Sequence, residues 1–162
     1  MTTGKDIIYT ADICDDHPEA RVCELAFVDF AKRTHFHGRV VTFSTYEDFV
    51  GVSEILKQDG QGKVLVIDGR GSRRRALCGG NVAGFGFENN WAGIVINGCI
   101  RDQHEINELD FGVKALGSTP MRPRSDGIGK AGISLNFGGI AIHPGDYLYA
   151  DADGVIVLKD PA

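Results

Sequence analysis

The sequence predicts an α/β protein built as a three-layer β/β/α domain, with βα units followed by an antiparallel β tail. Three observations point there. Strand and helix patterns alternate through the first two thirds of the 162-residue chain, as βα units do. Residues 63–68 (Lys-Val-Leu-Val-Ile-Asp) form an almost unbroken apolar run, the signature of a strand covered on both faces. The last third then changes character. Residues 133–137, 140–143, 147–150 and 155–158 are short strand patterns. Gly138-Gly139, Pro144-Gly145-Asp146 and Asp151-Ala152-Asp153-Gly154 are the turns between them. A simple doubly wound sheet would not end in four tight-turned strands.

Length and composition set the frame. The chain is long enough for one domain with a substantial core and too short for two, so residues 1–162 are expected to form a single domain. Hydrophobic content of 43% and charged content of 24% are ordinary for a globular protein. A net charge of −5 sets bulk electrostatics against nucleic acid. The cysteines, Cys14, Cys23, Cys78 and Cys99, include no Cys-x-x-Cys spacing. That argues against a zinc ribbon or a thioredoxin-like site and for reduced, buried thiols. Residues 1–6 lack the apolar core of a signal peptide, and no apolar run approaches the ~18 residues of a membrane span. The expected location is cytoplasmic, with no membrane partner.

The elements follow in order. Thr10 or Asp12 is a candidate cap for a short helix that His17-Pro18 ends. Residues 20–34 are mixed, with Leu25, Phe27, Val28 and Phe30 half-buried in expectation. His35 and His37 lie two apart, on one side of a strand, but no third ligand is near. A strand entry is the better reading than a metal site. Residues 39–45 are β-branched and apolar, a strand, and residues 46–57 read as a helix with Phe49, Val52, Ile55 and Leu56 near helical spacing. Gly60-Gln61-Gly62 is a turn. After residue 68, Asp68-Gly69-Arg70-Gly71-Ser72 leaves a strand at its carboxyl end, where open α/β sheets place ligand loops. Arg73, Arg74 and Arg75 are either an anion contact, a subunit contact or a solvated run. Residues 103–109 form a short helical turn, 111–116 a strand and 118–130 an exposed loop. Asp151 and Asp153 resemble part of a calcium loop, but no glutamate closes it, so they read as a turn.

The stretch from Gly79 to Asp102 carries the chemistry. It is a glycine loop, a helical run to Asn90, a buried strand and an Arg-Asp pair past the strand's carboxyl end. A helix and the parallel strand that follows it are roughly antiparallel, so the helix start lies near that strand end. Gly79, Gly80, Asn81 and Val82 would there present backbone N–H groups backed by the helix dipole, an anion seat. Arg101 supplies a planar charged fork for a carboxylate or phosphate. Asp102 supplies a hard oxygen ligand for a magnesium-like ion. The expected ligand is a small anion chelated to a divalent metal. The plainer reading is loop chemistry plus a solvated Arg-Asp pair.

Several segments together resemble a known family: residues 63–69, Arg74-Arg75-Ala76-Leu77, Asn90-Trp91-Ala92-Gly93-Ile94-Val95-Ile96, Gly98-Cys99-Ile100-Arg101-Asp102, Asn136-Phe137-Gly138-Gly139, Pro144-Gly145-Asp146 and Tyr149-Ala150-Asp151. They resemble the family of regulator of ribonuclease activity A (RraA) and the RraA-like class II pyruvate aldolases, which act on 4-hydroxy-4-methyl-2-oxoglutarate. The resemblance covers the chain from about residue 10 and implies a swivelling-type β/β/α fold and a homotrimer, sometimes a hexamer, with the site at a subunit boundary. It implies that the loop matching Gly79 to Val82 binds the pyruvate carboxylate through backbone N–H groups. The arginine matching Arg101 would contact substrate, and the aspartate matching Asp102 would hold magnesium or manganese. Oxaloacetate decarboxylation is an implied side activity.

The chain departs from the aldolase pattern in two ways. The motif's aspartate is replaced by Gly80, and the longer aldolases' C-terminal glutamate extension has no counterpart here. The proton carrier therefore stays open between water, His104 and a group from another subunit. The second function that the resemblance implies is regulation: binding ribonuclease E or its degradosome and inhibiting RNA cleavage. Asp102 favours the lyase, because the best-known regulator lacks that aspartate; Gly80 and the short chain favour the regulator. The family's older label as a menaquinone methyltransferase has no support, since no Rossmann-type glycine fingerprint follows the first strand.

Overall fold

The computed structural model describes residues 7–162. The residues at which a signal peptide was sought, 1–6, lie outside that range. The elements run α1 (Thr10–Asp16), β1 (Arg21–Val22), β2 (Val28–Phe30), β3 (Phe36–Ser44), α2 (Val50–Leu56), β4 (Val64–Asp68), β5 (Ala76–Cys78), α3 (Gly80–Glu88), β6 (Gly93–Ile100), α4 (Gln103–Ile106), β7 (Gly112–Ser118), β8 (Lys130–Ala131), β9 (Leu135–Phe137), β10 (Ile140–Ile142), β11 (Tyr147–Asp151) and β12 (Gly154–Leu158).

The centre is a parallel run, β3-β4-β6-β7, continued antiparallel by β2 at one edge and by β11, β12 and β1 at the other. β3 makes the corner. Its first half pairs with β11, and its second half pairs with β4. The sheet therefore curls back on itself, and the β9–β10 hairpin adds to the covering layer.

The period of two along the central strands divides the core into the three predicted layers. On β4 and β6, Leu65, Ile67, Ile94 and Ile96 face the helices and pack with Val52 and Leu56 of α2 and Val82 and Ala83 of α3. Val64, Val66 and Val95, on the opposite face, pack with Leu148, Ala150, Val155 and Val157 of β11 and β12. A strand with both faces buried has no room for a polar alternation, which is why residues 63–68 read as a continuous apolar run. At the β2 edge the fully buried Lys114 is held by Asp29, 2.7 Å away and directly opposite on the neighbouring strand.

Several expectations change. α2 begins at Val50, not at residue 46, because Glu47 takes a left-handed φ of 58° that interrupts any helix there. α3 ends at Glu88, short of Asn90, which is itself left-handed. β3 begins at Phe36, three residues before the expected start. Among the described residues no group of three or more His, Cys, Asp and Glu side chains could hold a metal. His37 instead pairs with the Tyr147 hydroxyl at 2.7 Å. All four cysteines are free, with Cys23, Cys78 and Cys99 buried. Among the described residues no helix is long and apolar enough to cross a membrane.

Neither Thr10 nor Asp12 caps α1; Tyr9 stands at the cap without a side-chain hydrogen bond. The cap comes from across the fold. Asp151 accepts the Thr10 backbone N–H at 2.7 Å and the Thr10 hydroxyl at 2.8 Å. Burial pushes the Asp151 carboxyl up, but hydrogen bonds from Thr10, Asp153 and Gly154 together outweigh it and hold it below its ordinary value. A carboxylate with a depressed folded-state pKa stabilises above its unfolded pKa and loses that contribution as pH falls through the folded one. We therefore expect Asp151→Asn to lower the unfolding free energy by about 1–2 kcal/mol at pH 7. Urea titrations at pH 7 and near pH 3 should show the gap to the wild type closing in acid.

Candidate active site

Two chain exits meet at the carboxyl edge of the central strands. β5 pairs in parallel with the end of β6, Ala76 opposite Cys99 and Cys78 opposite Ile100. The Arg101 N–H then donates to the Cys78 carbonyl at 3.0 Å. The turn from β5 into α3 and the turn from β6 into α4 are thereby fixed side by side. Between them lies a cavity of about 220 Å³ lined by Gly79, Gly80, Asn81, Val82, Arg101 and Asp102, with Leu77, Phe49 and Pro123 completing it. The structure thus brings together all six residues singled out from the sequence.

Their arrangement differs from the expected loop. Only Gly79 is outside the helix; Gly80, Asn81 and Val82 form the first turn of α3. The Gly80 N–H is not open to a ligand, because it donates to Asp102 Oδ2 at 3.1 Å. Asn81 and Val82 follow in the same turn, ahead of the first in-helix bond from Ala83 N–H to the Gly79 carbonyl, so their amides have no acceptor four residues back within the helix. They are what remains of the anion seat. Space favours glycine at Gly79: a Cβ there would stand 2.8 Å from Asp102 Oδ2 and would push aside the carboxylate that holds the Gly80 N–H.

Asp102 reaches α3 because its backbone is left-handed, with φ 61° and ψ 46°. Aspartate tolerates this region better than most residues, at a cost of order 1 kcal/mol. It is the N-cap of α4 by position, yet its carboxylate bonds to α3 instead. Arg101 is half-buried, and among the described residues its guanidinium has no hydrogen bond or ion pair, not even with Asp102. Cys78 lies under the seat. Burial first, and the Asp102 charge second, push its thiol up to about 12, so it is no nucleophile at neutral pH.

Other candidates fall away from the cavity. His104 is exposed and lies 3.6 Å from Glu105. It lines an open groove next to the cavity, which it shares with Arg101 and Asp102 as well as Gln103, Ser118 and Thr119. Arg73 and Arg74 are exposed and Arg75 is half-buried, and none of the three lines the cavity, yet each is held by the protein. Arg73 donates to the Leu116 carbonyl, Arg75 to the Arg122 carbonyl, and Arg74 grips Glu47 with both Nε and an NH₂ group. Those Arg74 bonds are the main cause holding the buried Glu47 carboxyl below its ordinary range.

One residue that the sequence reading missed, Asp48, shapes the wall. Asp48 is fully buried, and its carboxylate accepts N–H groups from Val50 at 3.0 Å, Asp126 at 2.6 Å and Gly127 at 2.9 Å. Phe49 N–H bonds to the Arg124 carbonyl and Arg124 N–H to the Glu47 carbonyl. These bonds clamp the loop of residues 118–130 against the start of α2 and so set Phe49 against Pro123 at the cavity. An aspartate just ahead of an apolar helical pattern is a cap signal, and Asp48 before Phe49 carried it.

Comparison with known proteins bears on this geometry. The family model described as RraA-like, Aldolase/RraA, matches residues 10–157. The chain belongs to that family. A relative from Alkalilimnicola ehrlichii, provisionally named 4-hydroxy-4-methyl-2-oxoglutarate aldolase, is 47% identical over 93% of this chain and 94% of its own length. A Marinomonas protein of the same provisional name is 44% identical over 97% of both chains. Among solved structures, the RNA-processing inhibitor RraA from Thermus thermophilis superposes with a TM-score of 0.94 at 39% identity, over 96% of this chain and 94% of that one. A Geobacillus kaustophilus protein described as an S-adenosylmethionine:2-dimethylmenaquinone methyltransferase gives 0.93 at 42%, over 95% and 96%. The RraA-like fold expected from the sequence is the fold observed.

The clamp makes a prediction. Asp48→Ala would take the carboxylate acceptor from the Val50, Asp126 and Gly127 N–H groups, so it should cost about 2 kcal/mol of stability. Amide hydrogen exchange at Asp126 and Gly127 should accelerate more than exchange in β4 and β6.

Proposed function

We propose that this RraA-like chain is a divalent-metal-dependent carbon–carbon lyase that cleaves 4-hydroxy-4-methyl-2-oxoglutarate and releases pyruvate, with oxaloacetate decarboxylation as a side activity. The observation that carries the reading is the meeting of an uncommitted Arg101, the Asp102 carboxylate and the open first-turn amides of α3 at one small cavity. The relatives' names supply the substrate.

Magnesium or manganese fits the donors present. Asp102 offers hard carboxylate oxygens, and a single protein carboxylate with waters is a common magnesium arrangement. Bound there, the cation would supply Lewis-acid polarisation of the 2-keto carbonyl. The chain's own groups do the rest. The Asn81 and Val82 amides and the α3 dipole receive the substrate's 1-carboxylate. Arg101 orients the keto oxygen and stabilises the negative charge that develops on it. Loss of the 4-hydroxyl proton to a base forms the new carbonyl and breaks the C3–C4 bond, whose electron pair passes to the pyruvate enolate. Protonation at C3 completes pyruvate. Oxaloacetate gives the same enolate by losing carbon dioxide, so Arg101 serves both reactions. In this reading the subunits form a homotrimer, and exposed Met121 and Ile128 on the loop beside the cavity are apolar surface that a neighbour would cover.

Pyruvate release from both substrates, with magnesium, with manganese and with chelator, tests the reading. Turnover should need metal and vanish in Asp102→Ala. Arg101→Ala should lose about 10²–10³-fold in kcat, the effect of one oxyanion donor. Absence of turnover with any metal from folded protein would sink the lyase reading and leave ribonuclease regulation, which the likeness to the Thermus inhibitor supports.

A further inference from the structure

The reaction above uses the polar groups of the cavity and gives no part to Phe49 and Pro123, which also line it. Phe49 stands at the N-cap of α2, where a side chain that accepts a hydrogen bond is the usual choice, and it makes no cap bond. That task has passed one residue back to Asp48, whose carboxylate accepts the Val50 N–H at 3.0 Å. The N-cap position is thereby free to carry a ring. The Phe49 backbone is engaged as well: its N–H donates to the Arg124 carbonyl at 3.2 Å, and its carbonyl accepts the Ser53 N–H at 2.9 Å.

Pro123 is held from both flanks. The Met121 carbonyl accepts the Ala76 N–H at 2.9 Å, the Arg122 carbonyl accepts from the Arg75 side chain, and the Arg124 N–H donates to the Glu47 carbonyl. Pro123 has no N–H of its own to offer. Leu77 and Val82 also line the cavity but are buried in the core, so the half-buried Phe49 and Pro123 supply its accessible apolar surface. That surface is fixed before any ligand arrives.

The two substrates of the reading above share a pyruvyl half, which the α3 amides and Arg101 receive. They differ at C4. In 4-hydroxy-4-methyl-2-oxoglutarate that carbon bears a methyl group, the molecule's one apolar substituent. In oxaloacetate it is the carboxylate carbon that leaves. We propose that Phe49 and Pro123 receive the C4 methyl group, and so select 2-keto acids with an alkyl substituent at C4 over those without one. The proposal rests on the lyase reading and names the substrate feature that its cavity prefers. One such group in an apolar pocket is worth about 10–200-fold in kcat/KM, and a half-buried wall belongs at the lower end of that range.

Pyruvate release from 4-hydroxy-4-methyl-2-oxoglutarate, from 4-hydroxy-2-oxoglutarate, which lacks the methyl group, and from oxaloacetate tests this. The readout is the ratio of kcat/KM for the methylated substrate to that for each of the others; comparing variants with the wild type removes the substrates' intrinsic difference. Phe49→Ser, which places a favoured capping residue at its position, should lower both ratios about tenfold. Pro123→Ser, on the other element, should lower them in the same direction. Phe49→Leu, still apolar, should keep most of the wild-type preference. Ratios that stay at the wild-type value in both serine variants, whether or not overall turnover falls, would overturn the role of the wall and leave the lyase reading intact. No turnover of any of the three substrates by the wild type, with magnesium or with manganese, would overturn the lyase reading and this proposal with it.

Discussion

The parallel pairing of β5 with the last residues of β6 is the constraint on which the cavity depends. Three residues of β5, all buried, bring the Cys78 carbonyl to the Arg101 N–H. Everything at the seat follows from that contact. α3 must start beside Arg101, and Gly79 must be small enough for Asp102 to pass. The left-handed turn at Asp102 then closes the arrangement by carrying a carboxylate back to α3. A slip of one residue in β5 would exchange the faces of Leu77 and Cys78, and the two exits would no longer face one another.

That convergence was legible in the sequence because it needs only general geometry. A glycine pair before a helix, a long apolar strand after it and a charged pair past the strand's end imply proximity whatever the side chains do. The three layers were legible for a similar reason, since residues 63–68 are apolar on both faces and the tail is cut by turn residues. The details that failed are non-local. β5 is too short to show any period. Thr10 lost its capping role to Asp151, which lies far along the chain. The start of α2 was misplaced because the acids at 47 and 48 suit a first helical turn by propensity, while tertiary contacts with Arg74 and the loop of residues 118–130 hold them out of it.

The anion seat illustrates the limit most directly. Counting four free amides from a helix start treats the helix as isolated. Here the chain fills part of its own seat, with Asp102 on the Gly80 amide and Glu105 against the Gly80 Cα. No local pattern reveals this, because the two acids arrive from α4, on the other exit. A ligand at this site therefore meets two amides and a guanidinium rather than four amides, and its carboxylate must share the helix end with protein acids.

The distribution of satisfied and unsatisfied charge then separates frame from site. Asp48, Glu47, Asp151 and Lys114 are buried, and each is tied down by backbone amides, a hydroxyl or an opposite charge. Buried charges must be compensated in this way, since an unpaired one would be costly enough to unfold a domain of this size. Arg101 differs, being half-buried without a partner among the described residues. Its desolvation is only partial, so the protein tolerates it, but an anion that enters the cavity gains a charge-assisted contact without displacing a protein acid from it. The same guanidinium tied to Asp102 would have made a more stable pair and a weaker binding site. The left-handed turn at Asp102 prevents that pairing by aiming the carboxylate at Gly80, and so the strain at one residue keeps its neighbour available for ligand.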